Sequence, residues 1–351
     1  MAEPSQDNAR TVGLVDPLRL GQWLDEEGLP GAGEPVETTF VSGGASNEIF
    51  EIRRGEHQWA LRRPPRVVPE GRNETMLREY RILTALADTD VPHPTARAVC
   101  TDHSVLGSTF YLMDFIDGWS PISEPDWPEP FLSDPSARRG LAFELVDAIA
   151  RLAKVDWKKQ GLEGLGRPDG FHDRQVDRWH AHLDRFKFRD IPGLDTAGAW
   201  LRNHRPRNYQ PGIMHGDYQF ANVMFCHGGP ARLAAIVDWE MGTVGDPLLD
   251  LAWVVMGWPD EGEVRTGGYV DYTGMPNRND LLEHYSTVSG RDVDDIDYYV
   301  VLARFKLAIV LEGGYARYVA GGADNPKMEA FGGVVLDLAS RAAEMVQALE
   351  S

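Results

Sequence analysis

Apolar positions in this chain follow first a helical, then a strand, then again a helical rhythm. Asp16-Pro17 offers an N-cap with proline at the first helical position, and Leu18, Leu20, Trp23 and Leu24 would form the apolar side of a short helix stopped by Gly28 and Pro30. From Thr38 to Arg63 the pattern alternates. Thr38 to Val41, Ile49 to Ile52 and Gln58 to Leu61 read as three strands of an antiparallel meander, with the turn Ser42-Gly43-Gly44-Ala45-Ser46-Asn47 between the first two. Pro64 and Pro65 end it. Asn73 to Ala87 then has helical spacing, with Met76, Leu77, Tyr80, Leu83 and Leu86 as its buried positions, and Thr109 to Met113 supplies a last strand running into Asp114-Phe115-Ile116-Asp117-Gly118. The first region therefore reads β-β-β-α-β.

The proline-rich, acidic stretch from Pro121 to Pro135 suits a surface connection near a lobe boundary. Beyond it helical spacing dominates, over Leu141 to Leu152, Asp173 to Phe186, Pro247 to Met256, Asn279 to Tyr285, Asp295 to Tyr318 and Val334 to Leu349. A loop-and-strand section from Ile213 to Glu240 interrupts it. The division expected is a β-rich lobe over residues 1–117 and a helical lobe over 118–351.

Composition narrows the function. The 351 residues are long enough for two cores, and a net charge of −19, from 54 acidic against 35 basic residues, repels nucleic-acid backbones and anionic membranes. The same charge would attract a polycationic substrate or simply confer solubility. Cys100 and Cys226 have no metal or disulfide spacing, the N-terminus lacks an apolar leader, and the longest apolar runs, such as Leu251 to Trp258, are too short to span a bilayer. A soluble, unprocessed, cytoplasmic protein with no nucleic-acid or membrane partner is expected.

The chemistry concentrates in Ile213-Met214-His215-Gly216-Asp217-Tyr218-Gln219-Phe220-Ala221-Asn222-Val223 and in Ala235-Ile236-Val237-Asp238-Trp239-Glu240. A carboxylate and an amide five positions apart, on a loop between apolar anchors, can converge on one point, and a second carboxylate at the end of the next strand can join them. Phosphoryl transfer needs that set: one group to deprotonate the attacking hydroxyl, and oxygen donors for a magnesium ion shared with phosphates. Asp217 fits the base, Asn222 and Asp238 fit the metal ligands, and His215 fits a brace of the loop. Taken singly, each would serve equally as a helix cap or turn former.

In their order and spacing, His215-Gly216-Asp217 with Asn222, Val237-Asp238-Trp239-Glu240 and Gly245-Asp246-Pro247-Leu248-Leu249-Asp250-Leu251-Ala252 resemble the aminoglycoside phosphotransferase and choline kinase superfamily. The resemblance runs from about Val41 to about Trp253. It implies an α+β, bilobal protein-kinase-like fold, with a small antiparallel β-rich N-lobe, a larger mainly helical C-lobe, ATP and Mg2+ in the cleft, and a small-molecule hydroxyl as acceptor. It also implies that Trp59-Ala60-Leu61-Arg62 is the third-strand motif, with Ala60 over the adenine, Arg62 toward the phosphates and Arg63 as a fallback facing the other way. Glu79 would pair with Arg62, the backbone of Asp114, Phe115 and Ile116 would meet the adenine edge, and Ser42, Gly43, Gly44, Ser46 and Asn47 would form the phosphate-covering loop. Asp246 and Asp250 would brace the catalytic loop.

Leu61-Arg62-Arg63 and Arg78-Glu79-Tyr80-Arg81 further resemble the branch of that family fused to acyl-CoA dehydrogenases, although Gln219 and Ala221 stand where that branch typically carries Arg and Asp. The acceptor is accordingly open: an aminoglycoside, a hydroxyacyl-CoA, a sugar or a choline-like alcohol. A nucleotide binder without turnover is the alternative of a different class. Trp119, Trp179, Trp253 and Trp258 fit either the acceptor pocket or the core.

Overall fold

The structure, a computed structural model, describes residues 13–43, 47–122, 127–259, 270–322 and 326–351. Helix α1, Pro17–Glu26, begins where the Asp16 carboxylate accepts from the Leu18 and Arg19 amides at 2.9 and 3.2 Å. Its buried side is Leu20, Trp23 and Leu24. Leu18, expected there, is 80% exposed, because at about 100° per residue it lies on the opposite side of the helix from Leu20.

The meander forms as expected: β1 Val36–Gly43, β2 Glu48–Arg54 and β3 His57–Arg63. Helix α2, Arg72–Leu86, follows and buries Met76, Leu83 and Leu86. Leu77 is 40% exposed, since it is turned one residue's rotation off the face that Met76 marks. The pattern β-β-β-α-β misses two elements, strand β4, Ala96–Cys100, and the single-turn helix α3, His103–Leu106. With β5, Phe110–Asp114, they complete an antiparallel sheet of order β1-β2-β3-β5-β4. β4 escapes detection because Pro92 and Pro94 precede it and Arg97 interrupts a five-residue run.

Strand alternation divides the sheet's side chains between two cores. Trp59, Leu61, Phe110 and Leu112 face a cluster with Phe50, Ile52 and the buried side of α1. Ala60, Tyr111 and Met113 face the other way, into a core continuous with α2 and the helical lobe. Register sets Ala60 opposite Met113 and Arg62 opposite Tyr111. The face presented to the second lobe therefore carries Ala60, Arg62, Tyr111 and Met113.

That second lobe consists of α4 Arg138–Lys154, α5 Phe171–Leu183, α6 Leu194–Asn203, α7 Leu248–Val255, α8 Arg278–Ser289, α9 Ile296–Val319 and α10 Pro326–Glu350. Helix α6 was not legible as a separate element; its buried Leu194, Ala197, Trp200 and Leu201 are enclosed by neighbouring helices. Two small ribbons hold the section between α6 and α7: β6 Gly212–Met214 pairs with β9 Thr243–Gly245, and β7 Val223–Phe225 with β8 Leu233–Ile236. Backbone hydrogen bonds between Trp119 and Phe225, at 3.0 and 2.7 Å, tie the segment leaving β5 to β7. Among the described residues no helix is long and apolar enough to cross a membrane.

Candidate active site

The two ribbons fix the loop that carries Asp217. β6 delivers His215, Gly216 and Asp217, a 3-10 turn over Phe220–Asn222 brings the chain back, and β8 ends one residue before Val237. Asn222 donates through Nδ2 to the Asp217 carbonyl at 2.7 Å and to Asp217 Oδ2 at 3.0 Å. Its amide hydrogens are thus committed to Asp217, which leaves Oδ1 as the oxygen it can offer. Gln219 Nε2 donates to Asp217 Oδ1 at 3.1 Å.

Beneath this loop lies a buried layer of braces. Asp250, at the start of α7, accepts from the His215 amide at 2.6 Å and the Gly216 amide at 2.8 Å. The His215 ring, fully buried, places Nε2 2.9 Å from the Val237 carbonyl. Burial lowers its pKa to about 4, so it is neutral, and donation to that carbonyl fixes its tautomer. Asp246 accepts from Tyr299 Oη at 2.5 Å, has His172 Nε2 at 2.8 Å, and caps α7 through the Leu248 amide. Gly216 sits at φ 86°, and a Cβ there would lie 2.7 Å from the Met241 carbonyl oxygen, so the loop can pass this point only as glycine.

A group that sequence reasoning missed completes the loop. Lys306, 5% exposed on α9, donates through Nζ to the Gly216 carbonyl at 2.5 Å and lies over the rings of Trp179 and Trp253. Burial lowers its pKa to about 8 against the pull of Asp217 and Asp250. The signal was a lone lysine in the otherwise apolar run Phe305 to Leu311, far along the chain from the motif it serves. Burial likewise pushes Asp217 up to about 6, against Lys306 and the Asn222 hydrogen bond, a position suited to a proton acceptor near neutral pH.

Across the cleft stands Arg62. Its Nε lies 2.8 Å from Glu79 Oε2 and its Nη2 2.5 Å from Asp238 Oδ1, so one guanidinium joins the sheet, α2 and the second motif. Tyr111 Oη donates to the same Glu79 oxygen at 2.9 Å. Burial pushes Glu79 up to about 7 while Arg62 and Tyr111 pull it down, and with Arg62 permanently protonated the charged pair is the state this geometry fits. Asp238 has φ 63° and ψ 62°, and it is the one non-glycine residue with positive φ among those described. Such a conformation costs about 1–2 kcal/mol. It is held by the Val237 amide on the Asn222 carbonyl and by Trp239 Nε1 on the Ile236 carbonyl.

Between these groups opens a cavity of about 390 Å3, walled by Ile49, Ala60, Tyr111, Met113, Phe115, Ile116, Met224 and Val237, with Arg62, Asn222 and Asp238 at its polar end. Ser42 and Asp114 reach its edge. The Asp114 side chain pairs with Arg97 at 2.5 Å, and its amide donates to the Thr95 carbonyl, so the polar edge of the connection left for a ligand is that of Phe115 and Ile116. Gly43 ends β1, and buried Asn47 donates to Glu240 Oε2 at 3.3 Å, beside Arg72 at 2.9 Å. Gly44 and Ser46 lie outside the described residues. Arg63 faces away, its guanidinium on the Leu14 and Pro64 carbonyls. Trp119 lines the cavity, Trp179 lines a second one, and Trp253 and Trp258 belong to the core.

The profile of the phosphotransferase enzyme family known as APH matches residues 37–281, a span that includes Arg62, Glu79, Asp217, Asn222, Asp238 and Asp250 and ends before Tyr299 and Lys306. The chain belongs to that family. Among solved structures, a Ralstonia eutropha protein provisionally assigned as an aminoglycoside phosphotransferase is 29% identical to this phosphotransferase, at a TM-score of 0.81 over 95% of this chain and 98% of that one. A spectinomycin phosphotransferase solved with ADP and spectinomycin shares the fold at a TM-score of 0.59 and 12% identity, over 94% and 99% of the two chains. The fold is thus the bilobal kinase-like one. Acyl-CoA dehydrogenase family member 11 of Gallus gallus is 30% identical over 317 residues, 88% of this chain and 40% of its own length. Member 10 of Mus musculus is 29% identical over 88% of this chain and 29% of its length, so this phosphotransferase spans less than half of the curated relatives it matches.

Proposed function

We propose that this phosphotransferase is an ATP- and Mg2+-dependent kinase that moves the γ-phosphoryl group to a hydroxyl of a small molecule. The observation that carries the reading is Asn222 and Asp238 at the polar end of the cleft, with Asp217 hydrogen-bonded to Asn222 and the Arg62–Glu79 pair bound to Asp238. The donor set fits magnesium: an amide oxygen and a carboxylate are hard ligands, and among the described residues no group of three His, Cys, Asp or Glu forms an all-protein cage. Magnesium, when bound, neutralises charge building on the phosphate oxygens.

In this reading Asp217 accepts the proton of the acceptor hydroxyl, aligned by Asn222 and Gln219. Asn222 Oδ1 and the Asp238 carboxylate hold the metal. Arg62, locked by Glu79, steadies the phosphates, and it must exchange part of its hold on Asp238 to do so. Ala60, Ile49, Met113 and Met224 sandwich the adenine, the backbone of Phe115 and Ile116 meets its edge, and Ser42, Gly43 and Asn47 flank the phosphates. Support for ATP comes from the family and from the ADP-bound spectinomycin phosphotransferase of the same fold. For the acceptor, an aminoglycoside-type molecule is one reading, supported by the solved relatives, and a hydroxyacyl-CoA is the second, supported by the acyl-CoA dehydrogenase family members matched over most of the chain.

Titration with the ATP analogue AMP-PNP, with and without Mg2+, tests the metal and nucleotide roles. Saturable binding tightened by Mg2+ in the wild type, with that tightening lost in Asp238→Asn, is expected. Binding indifferent to Mg2+ in both would remove Asp238 and Asn222 from the metal site.

A further inference from the structure

A second cavity, of about 510 Å3, opens on the other side of the catalytic loop, and Gly216, the residue before Asp217, is part of its wall. It is lined by Arg78, Arg167, Arg174, Arg178 and Lys306, and by no aspartate or glutamate. The chain as a whole carries −19, so five cations around one hollow run against the charge of the rest of the molecule.

Basic side chains usually stand as a solvated face paired with carboxylates; here Asp217 and Asp250 act on Lys306, and Glu79 and Glu240 on Arg78, only from beyond pairing distance, and none of them lines the hollow. Among the described residues none of the five has a carboxylate within ion-pair distance. Arg174 is instead held by backbone, its Nη1 on the Asp169 carbonyl at 2.6 Å and its Nη2 on the Arg167 carbonyl at 2.5 Å, which orients the guanidinium without cancelling its charge. Arg78 donates to the Glu240 carbonyl at 2.5 Å, and its Nε is buried without a hydrogen-bond partner. Trp179, 7% exposed, lines the same wall with its Nε1 also buried and unpartnered. Five like charges around one hollow, none of them in an ion pair among the described residues, cost stability, and an oxyanion seated among them would offset that cost.

We propose that this cavity is the acceptor site and that it recognises an oxyanion, a carboxylate or phosphate, on the molecule whose hydroxyl reaches Asp217. The proposal rests on the kinase reading and extends it to the acceptor's chemical class. Arg167 and Arg178, exposed at the mouth, draw the anion in. Arg78, Arg174 and Lys306 hold it deeper, and a hydroxyl on the same molecule extends past Gly216 to the base. A polycationic aminoglycoside would meet five like charges there, so of the two acceptor readings this cavity selects the anionic one.

The test is calorimetric titration of the protein saturated with AMP-PNP and Mg2+, at constant ionic strength, with inorganic phosphate, glycerate, glycerol and kanamycin as separate probes. Saturable binding of phosphate or glycerate, no binding of glycerol, and at least tenfold weaker anion binding in Arg167→Ala/Arg178→Ala with unchanged AMP-PNP affinity are expected. Phosphate binding without glycerate would identify the anion as a phosphate, and the converse as a carboxylate. Kanamycin binding in place of the anions, anion binding unaffected by the double substitution, or no anion binding by nucleotide-loaded protein would each overturn the proposal. Failure to bind AMP-PNP at all would instead fall on the kinase reading.

Discussion

Replacing Glu79 by alanine removes the partner of a guanidinium that is almost wholly out of water. The pair is 2.8 Å apart with side-chain exposures of 5% for Arg62 and 0% for Glu79, and the same oxygen takes the Tyr111 hydroxyl. Breaking a buried pair from one side costs about 3–5 kcal/mol, since the remaining charge keeps its desolvation cost. Asp238, with its side chain 41% exposed, remains as a weaker partner for Arg62, so the lower end, about 3 kcal/mol, is expected. Removing both charges in Arg62→Met/Glu79→Leu should recover most of this and leave a deficit of about 1 kcal/mol from the orphaned Tyr111 hydroxyl. Urea unfolding of the nucleotide-free protein measures all three, and AMP-PNP titration shows whether the stable double variant has lost nucleotide binding, as expected. A Glu79→Ala cost below about 1 kcal/mol, or a double variant as unstable as the single one, would refute the reasoning that the charged pair organises this face of the sheet.

Further outcomes follow from the loop itself. Asp217 must be ionised to accept a proton and its pKa is pushed up to about 6, so kcat/KM should rise with pH through that region and level off above it. Lys306 pulls that pKa down, so Lys306→Met should move the midpoint upward in a pH–rate profile, whereas a purely structural lysine would lower the plateau and leave the midpoint in place. Gly216→Ala meets both the positive φ and the Met241 carbonyl, and should cost about 2 kcal/mol or more in thermal unfolding while cutting turnover more than it changes nucleotide affinity.

Much of this was legible because function here is written in short, ordered segments. The meander declared itself through alternation and proline stops, and strand period put Ala60 and Arg62 on one face before any coordinates did. The groups Asp217, Asn222 and Asp238 could be placed together because apolar anchors on either side of each force the loop between them to turn inward. What stayed hidden was what long-range packing decides. β4 is a strand only because β5 offers it an edge, and Leu18 and Leu77 are apolar residues that the local helix rotation turns outward. Lys306 reaches the catalytic loop through a helix packed against α7, and the five cations of the second cavity come from α2, the segment before α5, α5 itself and α9. Overall acidity even pointed the other way, since net charge is summed over the whole surface and says nothing of the sign inside one hollow.

The central claim is that Asp217 accepts the proton of a hydroxyl that receives the γ-phosphoryl group. Radiolabelled γ-phosphate from Mg-ATP, followed into a panel of hydroxy acids, hydroxyacyl-CoAs, sugars, choline-like alcohols and aminoglycosides, tests it directly with Asp217→Asn alongside. The account predicts acceptor-dependent transfer by the wild type, and in the variant a loss of about a hundredfold or more with AMP-PNP affinity preserved. Full turnover by Asp217→Asn, or nucleotide bound firmly with no label passing to any acceptor, would contradict it.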